Sequence, residues 1–176
     1  MAPINPGTGA AKHTSERRFA ITRTFTAPRA LVFKMWTDPE HFKHWWGPKG
    51  STIGTCTIDL RPGGSTLYSM RMPGGPETWG KFVYQEVLAP ERLVFVNSFS
   101  NEKGDTIRAP FSALWPLEIE NTLSLSEQFG TTNLTLLGRP LDATQEEWNF
   151  FESHLEALHQ GLSGTFDQLA AYLAKV

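Results

Sequence analysis

Three side chains of the sequence have the chemistry of a general acid or base. His154 falls between Phe151 and Leu158 on the apolar stripe of a predicted helix, and an imidazole in an apolar cavity could exchange protons near neutral pH. Tyr84 and Glu86 lie close together on a predicted strand and complete the candidate catalytic set. No pattern in the sequence pairs a nucleophile with a base. A packed or half-exposed histidine is therefore the default interpretation, and catalysis is the less favoured one.

Charged side chains on the predicted strands form a second candidate group. Arg23, Asp59 and Arg61 join His154 as the polar candidates for a cavity wall. Because a buried charge has to be paired, these groups together with Glu86 favour ion pairs. In the functional alternative, Arg23 or Arg61 receives the anionic group of a ligand. Structural pairing or a solvated strand end is the favoured interpretation, since Arg61 stands beside a Pro-Gly-Gly turn.

The sequence lacks the motifs of metal and cofactor sites. His41 and His44 have a spacing that can share one helix face, but a zinc site needs three or four ligands. No P-loop, dinucleotide-binding glycine fingerprint or nucleophile-elbow motif occurs. The single cysteine, Cys56, has no neighbouring base pattern and is expected to be a small buried hydrophobe. We therefore predict no metal site and no cofactor.

Aromatic residues are the most informative excess in the composition, with six Trp and 12 Phe among 176 residues. So many large rings fill either a dense core or the wall of a cavity. The predicted ligand-binding residues sit on the short helices, at alternating strand positions or on the stripe of the last helix: Trp36, Trp45, Trp46, Tyr68, Met70, Phe82, Tyr84, Phe95, Phe151, Leu155, Leu158 and Leu162. The alternative for each is ordinary core packing.

The composition excludes several classes of protein. Hydrophobic residues at 40% and charged residues at 19% are typical of a globular domain and not of a disordered chain. A net charge of −2 argues against a general nucleic-acid binder, which needs a basic face. No apolar run approaches the ~20 residues of a spanning helix, so no membrane partner is predicted. One cysteine cannot form an internal disulfide, which fits a cytoplasmic location.

Hydrophobic periodicity predicts an α+β protein. A strand over 17–26 precedes two short helices, the first reaching Trp36 and the second running from an Asp38 cap to the Gly47-Pro48 stop. Six further strands are predicted in the hairpin order of an antiparallel meander, over 52–60, 65–72, 79–87, 92–99, 118–126 and 131–137. The chain ends in a helix of roughly 29 residues after a Thr144–Glu147 capping box.

The predicted domain organisation is a disordered leader over 1–16 and a single domain over 17–176. The long last helix has to bury its apolar stripe, and a seven-stranded antiparallel sheet can curve around it. Because a curved sheet and a rod do not fill the same shape, a gap is expected between them. Gly161 and Gly164 interrupt the stripe and are expected to allow a bend or a close approach to the sheet.

Several motifs occur in an order that resembles a known family. They are Arg23-Thr24-Phe25 with Ala27-Pro28, Trp36-Thr37-Asp38-Pro39-Glu40, Trp45-Trp46-Gly47-Pro48, Leu60-Arg61-Pro62-Gly63-Gly64 and Ala89-Pro90-Glu91-Arg92-Leu93-Val94-Phe95. The chain resembles the family related to the C-terminal domain of the activator of Hsp90 ATPase and to the calicheamicin-resistance protein, within the START/Bet v 1-like (SRPBCC) superfamily. The resemblance implies a helix-grip fold with a deep apolar cavity. Leu162 departs from the family pattern, in which many relatives carry Trp, and the change is expected to leave more room.

Three functional hypotheses follow. The leading one is binding of a hydrophobic or aromatic small molecule in the internal cavity. The second, implied only by the resemblance, is a module that stimulates an Hsp90-type chaperone ATPase. The third is a polyketide-cyclase-like or hydrolase-like enzyme that uses His154, Tyr84 or Glu86. The oligomeric state stays open, with a homodimer among the alternatives.

Overall fold

An open antiparallel sheet dominates the computed structural model, which describes residues 18–176. Within that range the strands are β1 (Phe19–Phe25), β2 (Thr52–Ile58), β3 (Ser65–Arg71), β4 (Glu77–Leu88), β5 (Arg92–Ser100), β6 (Thr106–Ile107), β7 (Glu118–Gln128) and β8 (Thr131–Leu141). The helices are α1 (Arg29–Thr37), α2 (Pro39–Phe42), α3 (Gln145–Ser153) and α4 (Leu155–Leu173). The predicted leader over 1–16 lies outside the described residues.

The strand order is β1-β8-β7-β5-β4-β3-β2, with the two-residue β6 paired to β5. The predicted α+β architecture is confirmed, and β6 is an addition inside the connection that follows β5. The meander prediction was wrong in one respect, because β1 pairs with β8 and not with β2. The cause is the pair of short helices between them. α1 packs against β7 and β8, whereas α2 packs against β2, so the chain crosses from one edge of the sheet to the other.

α2 begins where the sequence predicts and ends earlier. The side chain of Asp38 accepts a hydrogen bond from the Glu40 backbone N–H at 2.9 Å, and Pro39 opens the helix. The helix ends at Phe42, and turns carry the chain to Gly47. Gly47 has a φ of +103°, a left-handed conformation that glycine adopts without strain.

The predicted single C-terminal helix is divided at His154, which has φ −105° and ψ 4°. In an unbroken helix the His154 backbone N–H would bond to the Phe150 carbonyl. Here that carbonyl accepts one hydrogen bond from the His154 Nδ1–H at 2.7 Å and another from the Ser153 hydroxyl at 2.7 Å. The backbone N–H of His154 turns to the Phe151 carbonyl instead. Gly161 and Gly164, the expected interruption points, lie inside α4.

The buried face of α4 joins the sheet and α1 in one core. Phe166 is fully buried and packs edge-on against Phe25 of β1, with ring centroids 6.3 Å apart. Its ring also lies 6.3 Å from that of Trp36 on α1. Leu169 and Leu173 continue the same buried face. This core closes one end of the space between helix and sheet, and the other end stays open.

Candidate functional site

A cavity of three adjoining compartments lies between the sheet, α4 and the segment that precedes β7. The outer compartment has a volume of about 410 Å³, the inner one about 170 Å³ and the side one about 130 Å³. Trp46, Asn97 and Trp115 border all three. Exposed residues at the rim of the outer compartment, such as Phe111 and Gly161, show that it opens to the surface.

Most of the predicted ligand-binding residues line this cavity. On the strands, alternate positions point to one face, which brings Tyr68 and Met70 of β3, Phe82 of β4 and Phe95 of β5 to the wall. The helices add Phe151, Leu158 and Leu162 from the same predicted set, together with His154 from the polar candidates. Trp46 completes the set from the turn after α2. The departure from the family pattern, Leu162, borders both the outer and the inner compartment.

Four members of the predicted ligand-binding set are absent from the wall. Trp36 and Trp45 are almost fully buried and pack edge to face at 4.9 Å, with the Trp45 indole N–H donating to the Met35 carbonyl at 3.1 Å. Tyr84 is buried behind the wall, and Leu155 packs partly buried at the start of α4. These four residues pack in the core behind the residues that line the cavity, as the core-packing alternative predicted.

The predicted polar candidates on the strands form ion pairs with each other or with other charged side chains. Arg23 forms an ion pair with Asp167, and Arg61 pairs with Asp59 at 2.9 Å on an exposed turn. Glu86 is exposed and pairs with Arg92 at 3.2 Å. None of these six residues borders the three compartments. Within residues 18–176, the structure therefore places no anion-binding arginine at the cavity wall.

A β-bulge explains why Tyr84 and Glu86 do not act on one site. The register of β4 against β5 shifts between Tyr84 and Glu86, so that Tyr84 opposes Phe95 and Glu86 opposes Val94. Without the extra residue, strand alternation would place both side chains on the same face. With it, Tyr84 is buried and Glu86 is exposed. Of the three acid–base candidates, only His154 borders the cavity.

His154 has a defined tautomer. A carbonyl oxygen can only accept, so the contact of Nδ1 with the Phe150 carbonyl requires a proton on Nδ1. The ring also stacks on Phe150, with centroids 4.2 Å apart. Nε2 is therefore the ring atom with a free lone pair in the neutral form. Between residues 18 and 176 no group of three or more His, Cys, Asp or Glu side chains is arranged to hold a metal ion.

Sequence reasoning named none of the individual residues that the connection before β7 contributes to the cavity wall. Phe111 and Trp115 come from it, and their rings lie 5.5 Å apart. Trp115 reaches down to Phe151 of α3 at 5.7 Å. The signal available in the sequence was the presence of two large rings in a loop rich in proline. Asn97 and Asn121 were also missed, because an amide on a strand is more often at the surface.

An ion pair fastens this connection to the start of α3. The Arg108 guanidinium binds Glu147, and it also donates to the Trp115 carbonyl at 3.4 Å. Glu147 accepts a hydrogen bond from the Thr144 backbone N–H at 2.8 Å, and the Thr144 side chain accepts from the Glu147 N–H at 3.2 Å. The Thr144 N–H and then Arg108 hold the pKa of Glu147 below its ordinary value. The predicted capping box thus also anchors a wall of the cavity.

A sheet that holds a long C-terminal helix around an apolar cavity defines the helix-grip class of proteins. The comparison with protein families makes the assignment more specific. The model of the family described as "Activator of Hsp90 ATPase homolog 1-like protein" matches residues 26–174, and the chain belongs to this family. A fold of this type suggests ligand binding or a chaperone-activating module.

Solved structures agree with the family assignment. A protein from Arthrobacter aurescens is 26% identical, with a TM-score of 0.73 over 90% of this chain and 87% of that one. A protein from Nitrosomonas europaea is 25% identical, with a TM-score of 0.72 over 92% of this chain and 96% of that one. A protein from Mycobacterium smegmatis is 25% identical, with a TM-score of 0.70 and 88% of each chain covered. None of the curated proteins compared with the chain matches it. Of the helices within 18–176, none is long and apolar enough to cross a membrane.

Proposed function

We propose that the protein binds a hydrophobic or aromatic small molecule in the three-compartment cavity. The observation that carries the proposal is a wall made mainly of rings and aliphatic chains around an outer compartment of about 410 Å³. Ligand pockets in proteins are typically concave and apolar with a few polar groups. A ligand that buries about 250 Å² of apolar surface there would gain on the order of 6 kcal/mol before the costs of association.

The character of the wall favours binding over catalysis. Met70 has a flexible thioether side chain that adapts to different shapes. His154 is the only acid–base candidate at the wall, and Glu86 and Tyr84 are separated from it by the sheet and the core. A cyclase or hydrolase mechanism needs converging polar groups around the reacting atoms. This arrangement supports a binding pocket.

Filling the cavity tests the proposal. Replacing Leu162 by Trp places a large ring where the outer and inner compartments meet. Native mass spectrometry of freshly purified protein should show a co-purified small molecule in the wild type and lose it in Leu162→Trp. The matched control is Ala171→Trp, which adds the same ring at an exposed position of the same helix. Wild-type and Leu162→Trp proteins that bind a panel of lipids, polyketides and flavonoid-like compounds equally would overturn the proposal.

The family description supports a second candidate, a module that stimulates an Hsp90-type chaperone ATPase. The residues in and after β6 expose apolar side chains at Ile107, Phe111, Leu114 and Leu117. Clusters of exposed apolar residues are typical of protein-binding surfaces. If this candidate is right, the protein should raise the ATPase rate of the cognate chaperone, and Leu114→Ser should lower that effect. The absence of both ATPase stimulation and complex formation would exclude this candidate.

A further inference from the structure

The polar groups of the cavity wall carry no permanent charge. None of the described residues that border the three compartments is Lys, Arg, Asp or Glu. The titratable side chains at the wall are Tyr68 and His154. Burial raises the pKa of Tyr68 to about 12, so its hydroxyl is neutral. Because an unpaired ionised group is far costlier to bury than a neutral polar one, this wall disfavours a charged occupant.

Asn97 is the polar side chain that all three compartments share. It lies on β5 opposite Phe82 of β4 and Ile119 of β7, and is thus surrounded by apolar partners. Its amide nitrogen makes one long contact, 3.5 Å to the Lys81 carbonyl. Among residues 18–176, no donor reaches its amide oxygen within hydrogen-bond distance. The carboxamide therefore keeps both donor and acceptor capacity at the centre of the cavity.

Asn121 places a second carboxamide beside the first. It lies on β7 opposite Phe95, which makes it the diagonal neighbour of Asn97 across the β5–β7 ladder, roughly 7–8 Å away. Its amide nitrogen donates to the Ile119 carbonyl at 3.1 Å. Its oxygen accepts no hydrogen bond within the described part of the chain, and the residue borders the inner compartment. We refer to Asn97 and Asn121 as the amide pair.

We infer that the cavity selects an uncharged aromatic or polycyclic molecule carrying a carbonyl or hydroxyl group, and that the amide pair binds that group. The inference rests on the proposed function and narrows its ligand class. The amide oxygens are not among the buried unpaired polar atoms of residues 18–176, so they stay accessible from the cavity. A ligand that covers them has to supply the hydrogen bonds that solvent otherwise makes, which favours a neutral polar group at this position. The Asn97 N–H can donate to a carbonyl, and both amide oxygens can accept from a hydroxyl. A carboxylate would meet two amide oxygens at a wall whose described residues include no Lys or Arg.

Three naphthalene derivatives of nearly equal shape test the inference: ethylnaphthalene, acetylnaphthalene and naphthoate. They differ in presenting an apolar group, a neutral carbonyl and an anion to the same site. Titration calorimetry at about pH 8 should give acetylnaphthalene about tenfold or greater preference over naphthoate. In Asn97→Leu, acetylnaphthalene should bind about fivefold to tenfold more weakly, while ethylnaphthalene binds at least as well.

The controls separate recognition from folding. Asn149→Leu makes the same change at an exposed position of α3 and should alter no affinity. Thermal unfolding reports whether Asn97→Leu is folded, and Asn121→Leu is the second test variant. Equal affinity for naphthoate and acetylnaphthalene, or an equal loss of all three affinities in both amide-pair variants, would overturn the inference. Continued ethylnaphthalene binding would still support the proposed function, whereas no binding of any probe would overturn both.

Discussion

Tyr84 and Thr66 share a buried hydrogen bond behind the cavity wall, with their oxygen atoms 2.5 Å apart. Thr66 is fully buried, and Tyr84 is 2% exposed. Tyr84→Phe would leave the Thr66 hydroxyl without this partner, so we expect the free energy of unfolding to fall by about 1–3 kcal/mol. Urea denaturation at neutral pH measures it. Thr66→Val added to Tyr84→Phe should recover part of the loss, and a single variant as stable as the wild type would contradict the prediction.

The two buried tyrosines predict a stability change in alkali. Burial raises the pKa of both Tyr68 and Tyr84 from 10.0 to about 12. The unfolded chain therefore loses these protons first. The contribution of the two tyrosines to stability is fully present below about pH 10 and is lost as the pH rises toward about 12. Denaturation at about pH 9 and about pH 11 should show this decrease in the wild type.

Tyr68→Phe combined with Tyr84→Phe should flatten that part of the pH profile. Burial also raises the pKa of the Cys56 thiol, to about 11, which adds a slope of the same sign. The relevant quantity is therefore the difference between the wild type and the double tyrosine variant. An identical pH slope in the two proteins would be evidence against neutral buried phenols.

At the scale of single residues, the sequence identified the rings and missed the amides. Phe82 and Phe95 were predictable because strand alternation places both on one face. The exposed position of Glu86 was not predictable, because a hydrophobic pattern does not reveal the extra residue of the β4 bulge. Asn97 looks like any exposed strand amide until its neighbours Phe82 and Ile119 are known.

The stabilisation that the capping box gives to α3 depends on pH. Glu147 caps the Thr144 N–H and binds Arg108, and these contacts lower its pKa. Because the folded-state pKa lies below the unfolded one, the contribution is present near neutral pH and is lost as the pH falls through the folded-state value. Glu147→Gln should therefore lower the free energy of unfolding at pH 7 by about 1 kcal/mol or more.

The difference between Glu147→Gln and the wild type should shrink toward about pH 3. Urea denaturation at both pH values measures it. Gln145→Glu, at the exposed first position of α3, serves as a control for charge at the same helix end. A gap between Glu147→Gln and the wild type that stays constant with pH would rule out ionic stabilisation at Glu147.

The glycines of α4 offer a second test at the level of elements. Apart from its chain neighbours and the nearby backbone of the same helix, a Cβ atom added to Gly161 or Gly164 would have no atom within 4 Å. Alanine has the higher helix propensity, so each substitution should raise the free energy of unfolding by about 0.5–1 kcal/mol. Thermal denaturation measures the gain. Gly161→Ala should also narrow the rim of the outer compartment, whereas Gly164→Ala should leave binding unchanged.

The division of the last helix shows where element prediction stops. The apolar stripe and the Thr144–Glu147 pair correctly indicated helix on both sides of His154. The break depends on a side-chain nitrogen competing for the Phe150 carbonyl, which requires a particular histidine rotamer. Gly161 and Gly164, in contrast, lie within a continuous α4. Burial of the apolar face of α4, including Phe166 and Leu169, outweighs the helix-propensity cost of the two glycines.

At the scale of the whole molecule, Trp115 divides the cavity. Its ring borders all three compartments and is only partly buried. Trp115→Ala should join the compartments, so that a pyrene-sized ligand gains affinity relative to ethylnaphthalene, with a stability loss below the ~3–5 kcal/mol of a fully buried Trp. Calorimetric titration with both ligands measures the change.

Trp148→Ala is the matched control for Trp115→Ala. Trp148 also contacts Phe151, at 6.4 Å, but does not border the cavity. Its removal should lower stability without changing the preference between the two ligands. Equal changes in both affinities for Trp115→Ala would show that the ring does not limit ligand size.

The pairing of β1 with β8 imposes an order on biosynthesis. Phe19 meets Gly138 and Phe25 meets Thr132, so the first of the described strands to be synthesised pairs with the last of them. At a translation rate of about 5–20 residues per second, β1 waits roughly 5–20 s for that partner. Throughout this interval the buried faces of Phe19, Ile21 and Phe25 are uncovered on the nascent chain, a stage at which chaperones can bind the protein as a client.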